Sequence, residues 1–204
     1  MSPRAPKCDE KQIVAAAGRI IAESGLQAAT IGAIAERVGA PIGSIYYRFD
    51  SRGDLIANVW LQAAADFQQS FFARLRGPVP FDAGLDAALL MAARVRSQRG
   101  EARILLMHRR EDFIDSTCSV AIREKAEALG KQVRDEIGSF AIRLSQKDDK
   151  TTKAVISYAV IAAPFAVVRP YVATDEAPPK LADSLIETTY RCAIDLLKRK
   201  ADPP

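Results

Sequence analysis

The chain has 204 residues, 29 Lys+Arg against 25 Asp+Glu, and a formal net charge of +4. Hydrophobic residues make up 49% and charged residues 26%, which excludes a disordered or fibrous chain and leaves an ordinary globular one. A single histidine and three widely spaced cysteines, Cys8, Cys118 and Cys192, exclude a multi-histidine zinc site and a disulfide framework; they imply reduced thiols, a cytoplasmic protein, no metal and no cofactor.

The first segment, Asp9 to Ser24, carries Ile13, Ala17, Ile20 and Ile21 at helical spacing. The Met1–Gln12 stretch has no apolar core, so no secretory signal is expected. Gly25 suits a left-handed cap, with Leu26 folding back after it. Thr30 suits the N-cap of a second helix with an apolar face of Ile31, Ile34, Ala35 and Val38, ended by Gly39. Pro41 suits the first turn of a third helix, 41–49, with Ile42, Ile45 and Phe49 on its inner face. Ser51 and Asp54 resemble a capping box for a fourth helix, 51–76, bearing Leu55, Ile56, Val59, Trp60, Ala63 and Phe67.

Gly77-Pro78-Val79-Pro80 breaks the chain. Helices are predicted beyond it at 82–98, 101–113, 119–145, 151–172 and 180–200, the first two parted by Gly100. No alternating β-branched run appears, so the expected fold is all-α. The apolar stretch from Ala154 to Val168 is interrupted by Ser157 and Pro164, and it falls short of the roughly 18–20 residues of a membrane span. No membrane partner is expected, and Pro164 predicts a kink near Val160.

Helices 30–38 and 41–49, joined at Gly39-Ala40 and backed by the first helix, form the pattern of a helix-turn-helix unit, whose second helix enters the DNA major groove. Charge alone gives no such hint, because Lys7 to Arg52 holds six basic and five acidic residues. Placement does. Gly43 and Ser44 are small enough for close approach to bases. The first-turn amides of this helix and the Tyr46, Tyr47, Arg48 and Arg52 side chains offer donors to phosphates. Phosphate contact is the favoured reading; the alternatives are packing for the tyrosines and solvated charge for the arginines.

The stretch T-I-G-A-I-A-E-R-V-G-A-P-I-G-S-I-Y-Y-R-F-D-S-R-G-D-L, Thr30 to Leu55, resembles the DNA-binding signature of the TetR family of transcriptional regulators. Thr30, Ile34, Ala35, Gly39, Gly43, Ile45, Tyr46, Phe49, Arg52 and Leu55 match position by position. Ala40-Pro41 replaces the common Val-Ser, and Arg48 stands where His or Tyr is frequent.

The resemblance implies a helix-turn-helix domain over 8–53 and a helical ligand-binding and dimerisation domain over 54–204. It implies DNA contacts from Thr30, Pro41, Gly43, Ser44, Tyr46, Tyr47, Arg48 and Arg52. It further implies a homodimer on a palindromic double-stranded operator, released when a small-molecule effector binds, and no enzymatic activity. A helical adaptor that binds protein without DNA is the alternative.

In the larger domain, Met91, Met107, Phe113, Phe140, Tyr158 and Phe165 read as core or as pocket lining. Arg94, Arg96, Arg99, Arg103, Arg109 and Arg110, with His108, read as a solvated face or as the rim of an anion pocket, Arg94 being the candidate pocket residue. Leu181, Leu185, Thr189, Cys192 and Leu196 repeat along the last helix. With Ala159 and Ala163 of the preceding one, they are candidates for the dimer interface or for monomer core.

Overall fold

The computed structural model describes residues 9–199; Cys8, where the first domain was expected to begin, lies outside the described residues. Among those described, all regular structure is helical. The order is α1 (Glu10–Ser24), α2 (Ile31–Val38), α3 (Ile42–Tyr46), α4 (Arg52–Leu75), α5 (Pro80–Ser97), α6 (Arg99–Met107) and α7 (Val120–Ser145). Helix α8 (Lys150–Ala173) and helix α9 (Lys180–Arg199) complete it.

Local chemistry explains most boundaries. Asp9 accepts from the Gln12 amide at 2.7 Å while the Gln12 side chain returns to the Asp9 amide at 3.0 Å, a reciprocal cap. Thr30 Oγ1 accepts from the Ala33 amide at 3.1 Å. Gly39 ends α2 at φ 64°, a left-handed conformation that costs glycine little.

Three expected boundaries move. Pro80 opens α5 from its first turn instead of belonging to the breaker, since proline lacks only an amide that would have no partner there. Gln98, not Gly100, parts α5 from α6, and Gly100 sits inside α6. A Cβ there would lie 3.4 Å from Ala22 Cβ, so this glycine lets α6 approach α1. Helix α6 stops at Met107 rather than 113, and a single 3-10 turn at Arg110–Asp112 follows.

Two cores result. The first gathers Ile13, Ala17, Ile20, Ile34, Ile45, Phe49, Leu55, Ile56 and Val59 from α1–α4 with Ile104, Phe113, Ile114, Cys118 and Ile122 from farther along. The second gathers Phe71, Leu75, Met91, Phe140, Ile156, Val160, Ile186 and Tyr190. Helix α4 runs through both. By the roughly 1.5–3 kcal/mol gained on burying a large aliphatic or aromatic side chain, either core is a major stabilising term, and α4 is the rod that joins them.

Helix α8 is long and apolar enough to cross a membrane by length and composition, correcting the expectation that this stretch is too short. Its stripe of Ile156, Ala159, Val160, Ala163, Val168 and Val172 is buried in the bundle. The irregularity expected from Pro164 takes the form of a π-turn over Tyr158–Ala162, with the Ala163 amide donating to the Tyr158 carbonyl. The wider turn spares the helix a proline clash and changes the direction of the side chains around it.

Candidate nucleic-acid interface

Helix α3 is shorter than the expected 41–49. It closes at Tyr46, and the Tyr47, Arg48 and Phe49 amides complete a turn onto Gly43, Ile45 and Ile45 carbonyls at 3.0, 2.9 and 3.0 Å. Pro41 is its N-cap rather than a first-turn residue, with φ −61° and ψ 145° and no side-chain cap bond. Ile45 and Phe49 are buried in the first core, fixing one side of this rod. Ile42 was expected beside them but is 51% exposed. It sits in the first turn of the helix, beyond the part of that face that the core covers.

The outer surface is therefore Pro41, Ile42, Gly43, Tyr46 and Tyr47, all exposed, with Tyr47 at 87%. Ser44 and Arg48 are half-buried at its edge. Arg48 Nη1 donates to the Ser44 carbonyl at 2.7 Å, and its guanidinium carbon lies 5.9 Å from the Tyr47 ring centroid. This orders Arg48 and Tyr47 as one polar-aromatic edge. Thr30 is exposed at the start of α2.

Arg52 behaves differently from its expected role as a phosphate partner. Its Nε donates to the Ala29 carbonyl and its Nη2 to the Leu26 carbonyl, both at 2.8 Å. It straps the α1–α2 connection to the start of α4. The capping box expected at Ser51 is half present. Ser51 Oγ accepts from the Asp54 amide at 3.0 Å, but the buried Asp54 carboxylate turns away and accepts the Ser119 amide at 3.0 Å. That bond ties the first turn of α4 to the start of α7.

The residues expected around a ligand separate. Met91 and Phe140 are buried in the second core and Phe113 in the first; Met107 packs against the second core, and Tyr158 is 55% exposed. Arg94 donates to Gln98 and to Ser70 Oγ at 2.6 Å, and pairs with Glu101 at 3.3 Å. Burial holds the Glu101 carboxyl above its ordinary value, opposed by Arg94. Arg96 donates to the Pro178 and Pro179 carbonyls and to Asp183, Arg99 to the Asp175 carbonyl and Arg103 to the Val172 carbonyl. These arginines are neither a free solvated face nor an anion rim. Arg94 ties α5 to α4 and to Glu101 of α6, while Arg96, Arg99 and Arg103 brace α5 and α6 against the ends of α8 and α9.

Of the expected pocket residues, Phe165 alone lines a cavity of about 220 Å³ beside α4. Trp60, Ala64, Phe67, Gln68 and Phe71 of α4 form one wall, Leu105, His108 and Arg110 a second, and Val133, Ile161 and Phe165 of α7 and α8 a third. Phe67 stacks on Phe71 at 5.9 Å and meets Phe165 edge-on at 5.9 Å. Sequence reasoning missed this α4 face. Its signal was there, as Trp60, Ala64, Phe67 and Phe71 continue an apolar stripe past the part of α4 that serves the first core.

The expected dimer residues also divide. Ala159 and Ala163 are buried within the subunit and are unavailable to a partner. Leu181, Leu185, Cys192 and Leu196 are exposed along α9, with Thr189 half-buried between them.

Residues 13–59 match the sequence profile of bacterial regulatory proteins, tetR family. That match spans about a quarter of the chain and marks its N-terminal helix-turn-helix as similar to the DNA-binding region of the tetR family. This is a DNA-binding, non-enzymatic family. No curated protein matches the chain in sequence.

Solved structures share its TetR-like fold. One is a TetR-like transcriptional regulator from Rhodococcus sp. RHA1, with 18% identity, TM-score 0.67 and coverage of 96% of this chain and 99% of that one. Another is the fatty acid degradation regulator FadR from Bacillus halodurans, with 15% identity, TM-score 0.70 and coverage of 95% and 97%. A third is FadR from Bacillus subtilis in complex with stearoyl-CoA, with 15% identity, TM-score 0.69 and coverage of 89% and 98%.

Proposed function

We propose that the protein is a ligand-responsive repressor that binds a palindromic operator as a homodimer and leaves it when a small molecule occupies the cavity beside α4. The observation that carries this reading is the two-sidedness of α3: Ile45 and Phe49 anchor it while Gly43, Tyr46 and Tyr47 face outward. A rod held from behind with small and donor-bearing residues in front suits groove insertion. We assign base-edge or phosphate contact to Thr30, Pro41, Gly43, Ser44, Tyr46, Tyr47 and Arg48. Arg52 positions them through its straps to Ala29 and Leu26.

The reading unit ends near residue 53, and the rest of the chain from 54 onward senses and dimerises. The exposed Leu181, Leu185, Cys192 and Leu196 stripe supports dimerisation, because a symmetric pair of such helices would remove it from water. Helix α4 supports the regulatory step. The same rod carries Leu55 and Val59 in the first core and Trp60, Phe67 and Gln68 at the cavity, and Asp54 ties it to Ser119. A ligand that favours one placement of α4 shifts the DNA-competent population only by its difference in affinity between the two placements. A regulator of this kind works beside the chromosome, in the cytoplasm.

A gel shift on the DNA upstream of its own gene tests the reading. Binding is expected to weaken steeply with salt, to survive excess nonspecific DNA, and to be lost in the folded Tyr47→Ala/Arg48→Ala double variant. Normal binding by that variant would refute the site assignment.

A further inference from the structure

Resting on the proposed effector role of the α4 cavity, we infer that its ligand is a compact aromatic carboxylate bearing a hydrogen-bond donor.

Three observations define that class. The cavity holds about 220 Å³. An apolar cavity of about 150 Å³ accepts benzene, so this one suits a single ring with a short substituent, about nine to a dozen non-hydrogen atoms. Trp60, Phe67, Phe71 and Phe165 supply ring faces and edges to that body.

The second observation is Gln68. Its Oε1 is buried and accepts no hydrogen bond among the described residues. An acceptor left this way has lost its water without a replacement, and the residue lines the cavity from α4. A hydroxyl or N–H on the ligand would satisfy it.

The third is the polar wall formed by Arg110 and His108. Arg94, Arg96, Arg99 and Arg103 are engaged by carbonyls and carboxylates at close range. The nearest acidic partner of Arg110 is Glu127, 4.0 Å away and itself mostly exposed. Arg110 stands between this mostly apolar cavity and the groove that holds Glu127, and a guanidinium so loosely paired selects an anion, its planar fork matching a carboxylate. His108, held edge-on to Phe113 at 5.4 Å, adds a ring N–H on the same wall.

The chain has one tryptophan, Trp60, and it lines this cavity, so emission reports occupancy directly. The full chain is titrated with 4-hydroxybenzoate and 4-hydroxyphenylacetate. The comparators are the methyl esters, the deoxy acids and stearoyl-CoA. The expected result is saturable change in Trp60 emission with at least one free acid, weakened about tenfold or more by esterification and by Arg110→Gln. Gln68→Leu is expected to abolish the preference for the hydroxylated acid over its deoxy counterpart while the deoxy acid still binds.

Absence of saturation by every free acid at millimolar concentration, or equal binding of acid and ester, would overturn the inference. So would binding of stearoyl-CoA alone. Operator release is measured in parallel. An ester that binds and releases DNA sinks the ligand class and leaves the regulator reading standing. An acid that binds as described without releasing DNA does the reverse.

Discussion

Arg52 lies at a motif position where a phosphate contact is the obvious expectation, yet its two bonds face inward. Replacing it with Met keeps much of the stem and removes both donors. A hydrogen bond to a charged group contributes about 1.5–3 kcal/mol. Arg52 is half-buried, so water recovers part of each, and the net loss is about 2–3 kcal/mol in all. At this chain length 1 kcal/mol corresponds to roughly 2–4 °C in Tm, giving a fall of about 4–12 °C.

Two assays separate strap from phosphate contact: thermal unfolding of the variant, and the salt dependence of operator binding well below its Tm. The strap predicts the fall in Tm with the salt slope of the folded protein unchanged. A phosphate partner predicts little change in Tm and a slope reduced by about 0.9 for each phosphate no longer neutralised. That second pattern would refute the reasoning. Arg52→Lys is expected to restore less than half of the lost stability, because a single ammonium cannot fork between Ala29 and Leu26.

Gly84→Ala would normally strengthen a helix by about 1 kcal/mol. Here the new Cβ would collide with Tyr190 Oη and fall 2.7 Å from Phe140 Cζ. Displacing Tyr190 also threatens its 2.9 Å bond to the Phe81 carbonyl. A net destabilisation of about 2–4 kcal/mol is expected in denaturant melts, with Tyr190→Phe partly non-additive in the double variant; an unchanged or raised midpoint would contradict the packing. Leu185→Glu with Leu196→Glu, both on the exposed face of α9, is expected to give a monomer in sedimentation with Tm changed far less than by Gly84→Ala. A stable dimer would place the interface elsewhere.

Much of the reader was legible because its chemistry is local. Thr30 and Ser51 accept from amides three residues on, the Gly39 amide donates to carbonyls of the turn before it, and the apolar period of α2 is complete within one helix. The exposure of Ile42 was not legible, because periodicity puts it on the face of Ile45 and Phe49 and only tertiary packing decides where the cover over that face stops. The inward bonds of Arg52 were not legible because its partners are carbonyls 23 and 26 residues away, and every carbonyl looks alike in a sequence. The same holds for Arg96 and the carbonyls of Pro178 and Pro179.

Periodicity showed that α8 and α9 have apolar faces, but not that Ala159 and Ala163 would be used inside the subunit while Leu181 and Leu185 stay outside. The cavity depends on four chain segments meeting, including the π-turn near Ile161. No single stretch encodes it.

The claim on which the account turns is that the outer side of α3 enters the major groove in two copies. Dimethyl sulfate interference on the bound operator tests it, because methylation at guanine N7 lies in the major groove and at adenine N3 in the minor groove. The expected pattern is two symmetric clusters of interfering guanines, centred about one helical turn apart or a multiple of it. Interference confined to adenine N3, or none at all on DNA that is specifically bound, would contradict it.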